Sequence, residues 1–580
     1  MRQAFARHLI FVLAMVMSAC LMLDHLEEKS PTEDEWAHLV RGLQYWHGDD
    51  HRLQYAHPPL ANAWAAAPLA LDEAVPDFST LDGWESATVG RVAYAYLQLD
   101  YDAARASLMR ARRACIAFSL VGVIYAYFWG MSVLGRREGL LLAVILALHP
   151  ALLGQARYVS SDVACGVACF VAVGELCRHL RGNAPGATWV GVPLGLSMAV
   201  LSKHSALLLV PVFLGVTSLH AFLGRGSYAG CSVRLRVGCW GTHALFSAFV
   251  VVLSLNLAYG FQASGLTVLE VLQRPEPQYW ISSPYEGTML ERCSPLTLLP
   301  ANFRLPLPYS WLFGVSSVRV QSAQGYPWAS FFGAATPRGT PAFFPTLCLL
   351  KMPLVCLVGG LGAVLEGWRQ RSVPRSVVIM AGAAAVFLGV AMTSRLNMGI
   401  RHVLPVLYLG AVPVAFGLGA LLERARTRGR WALPVIAVVA LSMPAVVHRD
   451  DYLGYFNVGR ELGHQVSVVG EDVGQDRLRF AKWVEAQELG LLYYDTQTQT
   501  RSLEARWTGL RFHELNCGTF IRPGAHVALH ASRRIAVSPK CFPQLVGLEP
   551  EVTFNDHIDV YRVPHQGRGR PTHAAVLSRP

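Results

Sequence analysis

Eleven apolar runs constrain this chain more than any other feature. A helix that crosses the hydrocarbon core of a bilayer needs about 20 mostly apolar residues, within a range near 17–25. Runs that fit lie near 8–23, 114–134, 139–154, 161–177, 187–201, 205–223, 240–259, 342–363, 376–393, 402–421 and 431–448. Lipid offers no partner for a bare backbone N–H or C=O, so such runs must close their hydrogen bonds internally, as helices. The expected fold class is therefore mainly α: a polytopic membrane protein with about eleven spans. Composition agrees. Charged residues are 15% of the 580 and hydrophobic ones 53%, where a soluble domain carries about a quarter charged.

The net charge of +11 would suggest nucleic acid in a soluble protein. Here the basic residues lie between apolar runs, so topology explains them and no nucleic-acid partner is expected. With the N-terminus in the cytoplasm, the inner segments carry Arg2, Arg7, Arg136, Arg137, Arg178, Arg181, Arg225, Arg234, Arg236, Arg369, Arg371, Arg375, Arg424, Arg426, Arg428 and Arg430. The short outer loops carry only Arg157, Lys203, Arg395 and Arg401. That asymmetry follows the positive-inside rule. The chain is thus expected in the plasma (inner) membrane. "MSAC" at 17–20 loosely resembles a lipoprotein cleavage site, but Met17 fits it poorly, and the first run is read as an uncleaved span.

This topology places 24–113, 260–341 and 449–580 outside the cytoplasm. The expected organisation is a membrane domain at 1–448 with the first two segments as outer loops. A small α/β domain follows at 449–565, then a disordered tail at 566–580. Strand-like runs are "HQVSVV", "LGLLYYD", "AHVALHAS" and "HIDVYRV", and "QDRLRFAKWVEAQ" is helix-like. Cysteine spacing gives no metal signature. Cys517 and Cys541 are the pair in the polar C-terminal part, and both a disulfide and two free thiols remain open for them.

The outer loops collect unusual groups. Asp34 and Glu35 follow the first span, and Arg157 and Asp162 lie between spans three and four. Lys203 and His204 lie between spans five and six, and Arg395, Asn397, Arg401 and His402 between nine and ten. Each has an ordinary reading. Arg157 alone can snorkel to headgroups, Asp162 alone can cap a helix, and an acid pair in a loop is usually solvated. Charging a membrane segment costs on the order of 3 kcal/mol on insertion scales. Four loops on one face that all carry charge are therefore harder to dismiss. Together they offer cations for a phosphate and a carboxylate to activate a hydroxyl. That set suits glycosyl transfer from a lipid-linked phosphosugar, whose isoprenoid tail stays in the bilayer. No Gly-rich nucleotide loop is apparent, and a lipid donor needs none.

Short motifs now accumulate in order: "DEWAHLVRGLQYW", "HPPL" at 57–60, "ARYVSSD", Lys203, "FFGAATPRGTPAFFPTLCLLKMP" at 331–353, "NMGIRHVLPV" at 397–406, "YFN" at 455–457 and "DVGQD" at 472–476. They resemble GT-C type glycosyltransferases of the dolichyl-phosphate-mannose protein mannosyltransferase class, which includes bacterial aminoarabinose transferases. The resemblance covers most of 30–480. Two departures concern acceptor and loop detail: Val473 stands where the bacterial pattern has Trp, and Ala56 where it has an acid.

The resemblance implies an inverting transferase with Asp34 as catalytic base. Glu35 is a catalytic candidate that orients an acceptor or braces the loop. Lys203, Arg401 and His402 are implied to bind the donor phosphate. Arg157 and Asp162 are implied to pair and link loops, and they and His57 are further substrate-binding candidates. Consecutive prolines restrict the backbone, so His57-Pro58-Pro59 is expected to fix the loop's return path. It implies no obligatory catalytic metal, although other GT-C enzymes require one, so a divalent ion stays open. Partners would be a polyprenyl-phosphate sugar, membrane lipids, and a protein, glycolipid or polysaccharide acceptor. The competing class is a transporter or membrane scaffold. Transporters favour internal repeats and midplane charges, and neither is visible here.

Overall fold

In the computed structural model the described residues are 2–565 apart from 33, 183–184, 278–294, 371–372, 431, 468–469, 471, 497–500, 531–536, 538 and 556. The expected disordered tail at 566–580 lies outside them. Two compact units form. One comprises Met1–Glu27, Asp34–Ala329 and Thr336–Gly463; the other comprises Glu28–Glu33, Ser330–Ala335 and His464–Pro580.

The first unit is helical, and every expected span coincides with helix. Among the described residues, seven helical segments are long and apolar enough to cross a membrane: Phe5–Glu28, Tyr101–Val133, Asp162–Arg181, His204–Tyr228, Val233–Ala258, Arg375–Thr393 and Ile400–Thr427. Two further runs are broken by proline. Arg136–Leu148 and Pro150–Ala156 meet at 56°, and Phe343–Lys351 and Leu354–Arg369 at 109°. Pro150 starts the second piece of the first pair, where it suits a helix start and ends the helix before it. Trp189–Ser202 and Ala432–Val447 are shorter apolar helices. The protein is a multi-pass membrane protein.

Side-chain placement along Val233–Ala258 shows what such a helix faces. Leu245, Phe249, Leu253 and Leu257 recur every fourth residue and are 74%, 63%, 37% and 61% exposed. An apolar stripe of that kind on a water-soluble surface would be an aggregation site; against lipid tails it is the natural outer face. The Tyr101–Val133 helix has 33 residues. At about 1.5 Å per residue it far exceeds the roughly 30 Å hydrocarbon core, so one end must project beyond it.

The second unit holds a five-stranded sheet. Its order is His513–Glu514, Leu492–Tyr494, His526–His530, Ile558–Arg562, Val552–Phe554. The first three strands run parallel and the last two pair antiparallel. Alternation divides the side chains between two cores. Leu492, Tyr494, Ala528, Ile558 and Val560 pack with Phe480 and Val484 of the Arg477–Ala486 helix. Tyr493, Val527, Leu529 and Tyr561 pack with Leu515, Ile521 and Leu545 on the other face. Cys517 and Cys541 are joined in a disulfide. One expectation is corrected: "HQVSVV" does not start a strand, because Arg460–Val466 is a helix. Short apolar runs do not separate the two periods.

Candidate active site

Asp34 occupies the N-cap position of the Glu35–His47 helix but makes no side-chain cap bond. Its carboxylate instead accepts from Arg401 at 2.6 Å. Arg401 lies in the short 3-10 turn Ile400–Val403, which follows Gly399 at φ +90° and ψ 175°. That backbone region is essentially reserved for glycine, so Gly399 is what allows the turn to present Arg401. The Asp34 side chain is 54% exposed and that of Arg401 17%. The carboxylate is therefore held by a cation yet open on one side. Burial pushes the Asp34 carboxyl up, but Arg401 and then His38 pull it further down, and it lies below its ordinary value. It is ionised at neutral pH.

A second ion pair stands beside the first. Asp162 begins the Asp162–Arg181 helix, and its carboxylate accepts from the Lys203 ammonium. It is engaged there rather than serving as a simple cap. Asp162 is within electrostatic reach of Asp34, Arg401 and His402. Nε of Arg401 and Nε2 of His402 are buried without a hydrogen-bond partner among the described residues. A buried donor without a partner costs about 1–3 kcal/mol, and an anionic oxygen placed there would satisfy it.

His57 joins the group from the other side, its Nδ1 3.1 Å from Ser161 Oγ. Pro59 opens the Pro59–Ala66 helix at a position where its missing N–H costs nothing. The His-Pro-Pro corner thus turns the chain into that helix. His57 packs ring to ring with His38 at 4.7 Å. Burial lowers the His38 pKa to about 4, with Arg41 adding to the effect. Burial, then His38 and Arg41, holds His57 well below its usual value. Both rings are neutral near pH 7.

Two expected members stand apart. Glu35 is 0% exposed. Its Oε1 and Oε2 accept from Arg112 at 2.8 and 2.6 Å, and Oε1 also accepts the Val159 N–H at 2.9 Å. Arg157 does not form the expected ion pair with Asp162, whose partner is Lys203. Arg157 instead donates to the carbonyls of Arg449, at 2.9 Å, and Leu21, and its guanidinium lies 4.6 Å from the Tyr452 ring. It ties backbone segments together. Sequence reasoning missed His38, whose signal was available: in "DEWAH" it falls four residues after Asp34, on the same helical face. It also missed Arg112, for which 77 residues of separation left no local signal.

The cluster can thus bind an anion through Arg401, Lys203 and His402, and accept a proton at Asp34. Its carboxylates already hold cations, so a divalent metal would compete with Arg401 and Lys203 for the same oxygens.

No known protein family matches the chain, and no curated protein does. Among solved structures it is similar to ArnT from Cupriavidus metallidurans bound to undecaprenyl phosphate. That match has 12% identity and a TM-score of 0.42, and covers 96% of this chain and 98% of that one. It is similar also to the apo oligosaccharyltransferase of Archaeoglobus fulgidus, with 13% identity, TM-score 0.44 and 87% of this chain covered. A third is the archaeal oligosaccharyltransferase AglB of the same organism, in complex with an inhibitory peptide and a dolichol-phosphate. It has 14% identity and TM-score 0.44, and 88% of this chain is covered. The chain spans 60% of the length of either archaeal structure.

Proposed function

We propose that this protein is a GT-C type membrane glycosyltransferase. It moves a sugar from a polyprenyl-phosphate donor to an acceptor hydroxyl on the extracytoplasmic face of the inner membrane, with inversion. The observation that carries the reading is the Asp34–Arg401 pair: a carboxylate bound to a cation at 2.6 Å and still 54% exposed. The carboxylate stays exposed while Nε of Arg401, buried beside it, has no hydrogen-bond partner among the described residues.

In this reading the acceptor oxygen attacks the anomeric carbon and its proton passes to Asp34. The bond from that carbon to the phosphate oxygen breaks, and its electron pair leaves with the lipid phosphate. Arg401, Lys203 and His402 hold the phosphate as its charge grows. The isoprenoid tail stays among the apolar helices. Glu35 serves as a brace, tying the start of its helix to Arg112.

The test is transfer by the purified protein against a panel of polyprenyl-phosphate sugars, with products identified by mass spectrometry. The reading predicts one glycosylated product of inverted anomeric configuration and free polyprenyl phosphate. Retention of configuration would remove the direct-displacement mechanism. Consumption of none of the donors would reject the enzyme reading.

A further inference from the structure

Behind Asp34 lies a buried relay of amides. Gln44, Gln54, Asn62 and His38 are 0%, 0%, 1% and 4% exposed. Groups so buried need hydrogen-bond partners, and their geometry fixes which atoms donate. Gln54 Nε2 donates at 2.7 Å to the Arg41 carbonyl and at 3.3 Å to Gln44 Oε1. Gln44 Nε2 donates to the Asp50 carbonyl. A carbonyl only accepts, so both glutamines must turn their amide nitrogens this way.

That choice propagates. Gln54 Oε1 is left to accept from Asn62 Nδ2 at 3.4 Å. Asn62 therefore presents Oδ1 to His38 Nδ1, 2.8 Å away. An amide oxygen cannot donate, so His38 Nδ1 carries the proton. A neutral imidazole has one N–H, and its Nε2 is then a bare acceptor.

Packing holds the relay in place. A Cβ added to Gly42 would lie 2.2 Å from the Asn62 carbonyl oxygen and 2.7 Å from Ala66 Cβ. Only glycine lets the two helices approach this closely. His38 sits one turn after Asp34, its N–H 3.2 Å from the Asp34 carbonyl. The charged groups acting on its ring are Arg41, Asp34 and Asp162, with His57 packed against it. Nε2 faces away from Asn62, and no described residue hydrogen-bonds it.

We propose that His38 orients the acceptor: its Nε2 lone pair receives a hydrogen bond from a second O–H or N–H group on the acceptor, next to the hydroxyl that Asp34 deprotonates. This rests on the glycosyl-transfer reading and names its substrate class, an acceptor with a hydrogen-bond donor adjacent to the nucleophilic hydroxyl.

The experiment compares an acceptor that the wild-type protein glycosylates with an analogue lacking the adjacent donor. The wild type should show a KM about tenfold lower for the full acceptor, the worth of one hydrogen bond. His38→Phe should bind donor normally and lose that preference. Nitrogen-15 histidine spectra should show a neutral ring with a bare Nε2 that disappears in His38→Phe. Equal KM values for the two acceptors in the wild type, an undiminished preference in His38→Phe, or an Nε2-protonated ring would each overturn the inference. Absence of any transfer by the wild type would instead overturn the functional reading, and the spectra would still decide the tautomer.

Discussion

Each unit of the molecule contains a cluster of charged and polar side chains, and the clusters are built to different ends. In the membrane unit, Asp34 and Arg401 meet at 2.6 Å with the carboxylate 54% exposed. In the C-terminal unit, Asp472 accepts from His530 Nδ1 at 2.9 Å, and His530 Nε2 lies 3.0 Å from the Tyr494 hydroxyl. Those side chains are sealed: Asp472 is 2% exposed and His530 1%. Both clusters lower the pKa of a carboxyl. Burial raises Asp472, but the His530 charge and hydrogen bond outweigh it and bring it to about 2. Perturbed acidity alone therefore does not separate chemistry from structure. Access separates these two: the Asp34 side chain is half exposed, and that of Asp472 is enclosed. Asp34 and Glu35 repeat the contrast within one dipeptide, since Glu35 is fully enclosed by Arg112 and Val159.

The contrast can be broken most forcefully at the enclosed acid. Glu35→Gln, or Arg112→Met, strands one buried charge and should cost roughly 3–5 kcal/mol of stability. Glu35→Leu combined with Arg112→Met should recover much of that loss, as thermal unfolding in detergent will show. A loss of turnover without a loss of stability in Glu35→Gln would place Glu35 with the chemistry instead. Smaller effects are expected at the open cluster. Lys203→Met should weaken donor binding by about 10–100-fold, the worth of a charged hydrogen bond, and should also lower the melting temperature, because it leaves the buried Asp162 carboxylate without its cation. Donor titration checks this, and unchanged affinity would remove Lys203 from the phosphate site.

The sealed cluster answers to pH. The Asp472 carboxyl is depressed in the folded state, so its contribution is fully present above the ordinary carboxylate value near 3.9 and lost as pH falls toward about 2. That contribution is on the order of 2 kcal/mol. Acid unfolding of the intact protein should show it, and Asp472→Asn should flatten the curve between those limits. A reporter fused after residue 480 should read as extracytoplasmic; a cytoplasmic signal would overturn the orientation.

Much of this organisation was legible in the sequence, for identifiable reasons. Spans announce themselves because lipid imposes length and apolarity on each one locally. Strands 492–494, 526–530 and 558–562 were readable from alternation. The "HQVSVV" run misled because three or four residues fit a helix as well as a strand. Asp34, Asp162, Lys203 and Arg401 stood out because charge beside a span is costly. Their pairing was not legible. Arg401 finds Asp34 across 367 residues and Lys203 finds Asp162 across 41, and such partnerships come from helix packing. The relay from Arg41 through Gln54 and Asn62 to His38 was hidden for the same reason. Each amide alone looks like a loop or helix-surface residue.

The central claim is that Asp34 is the proton acceptor of an otherwise intact site. The direct measurement is the rate of sugar transfer by Asp34→Asn, taken together with its melting temperature and its affinity for the polyprenyl-phosphate donor. Loss of a general base typically costs about 10²–10⁴-fold in rate. The account predicts a loss of that size with an unchanged melting temperature. Donor affinity should fall little, since Arg401, Lys203 and His402 all remain. Turnover within a few-fold of wild type would contradict it.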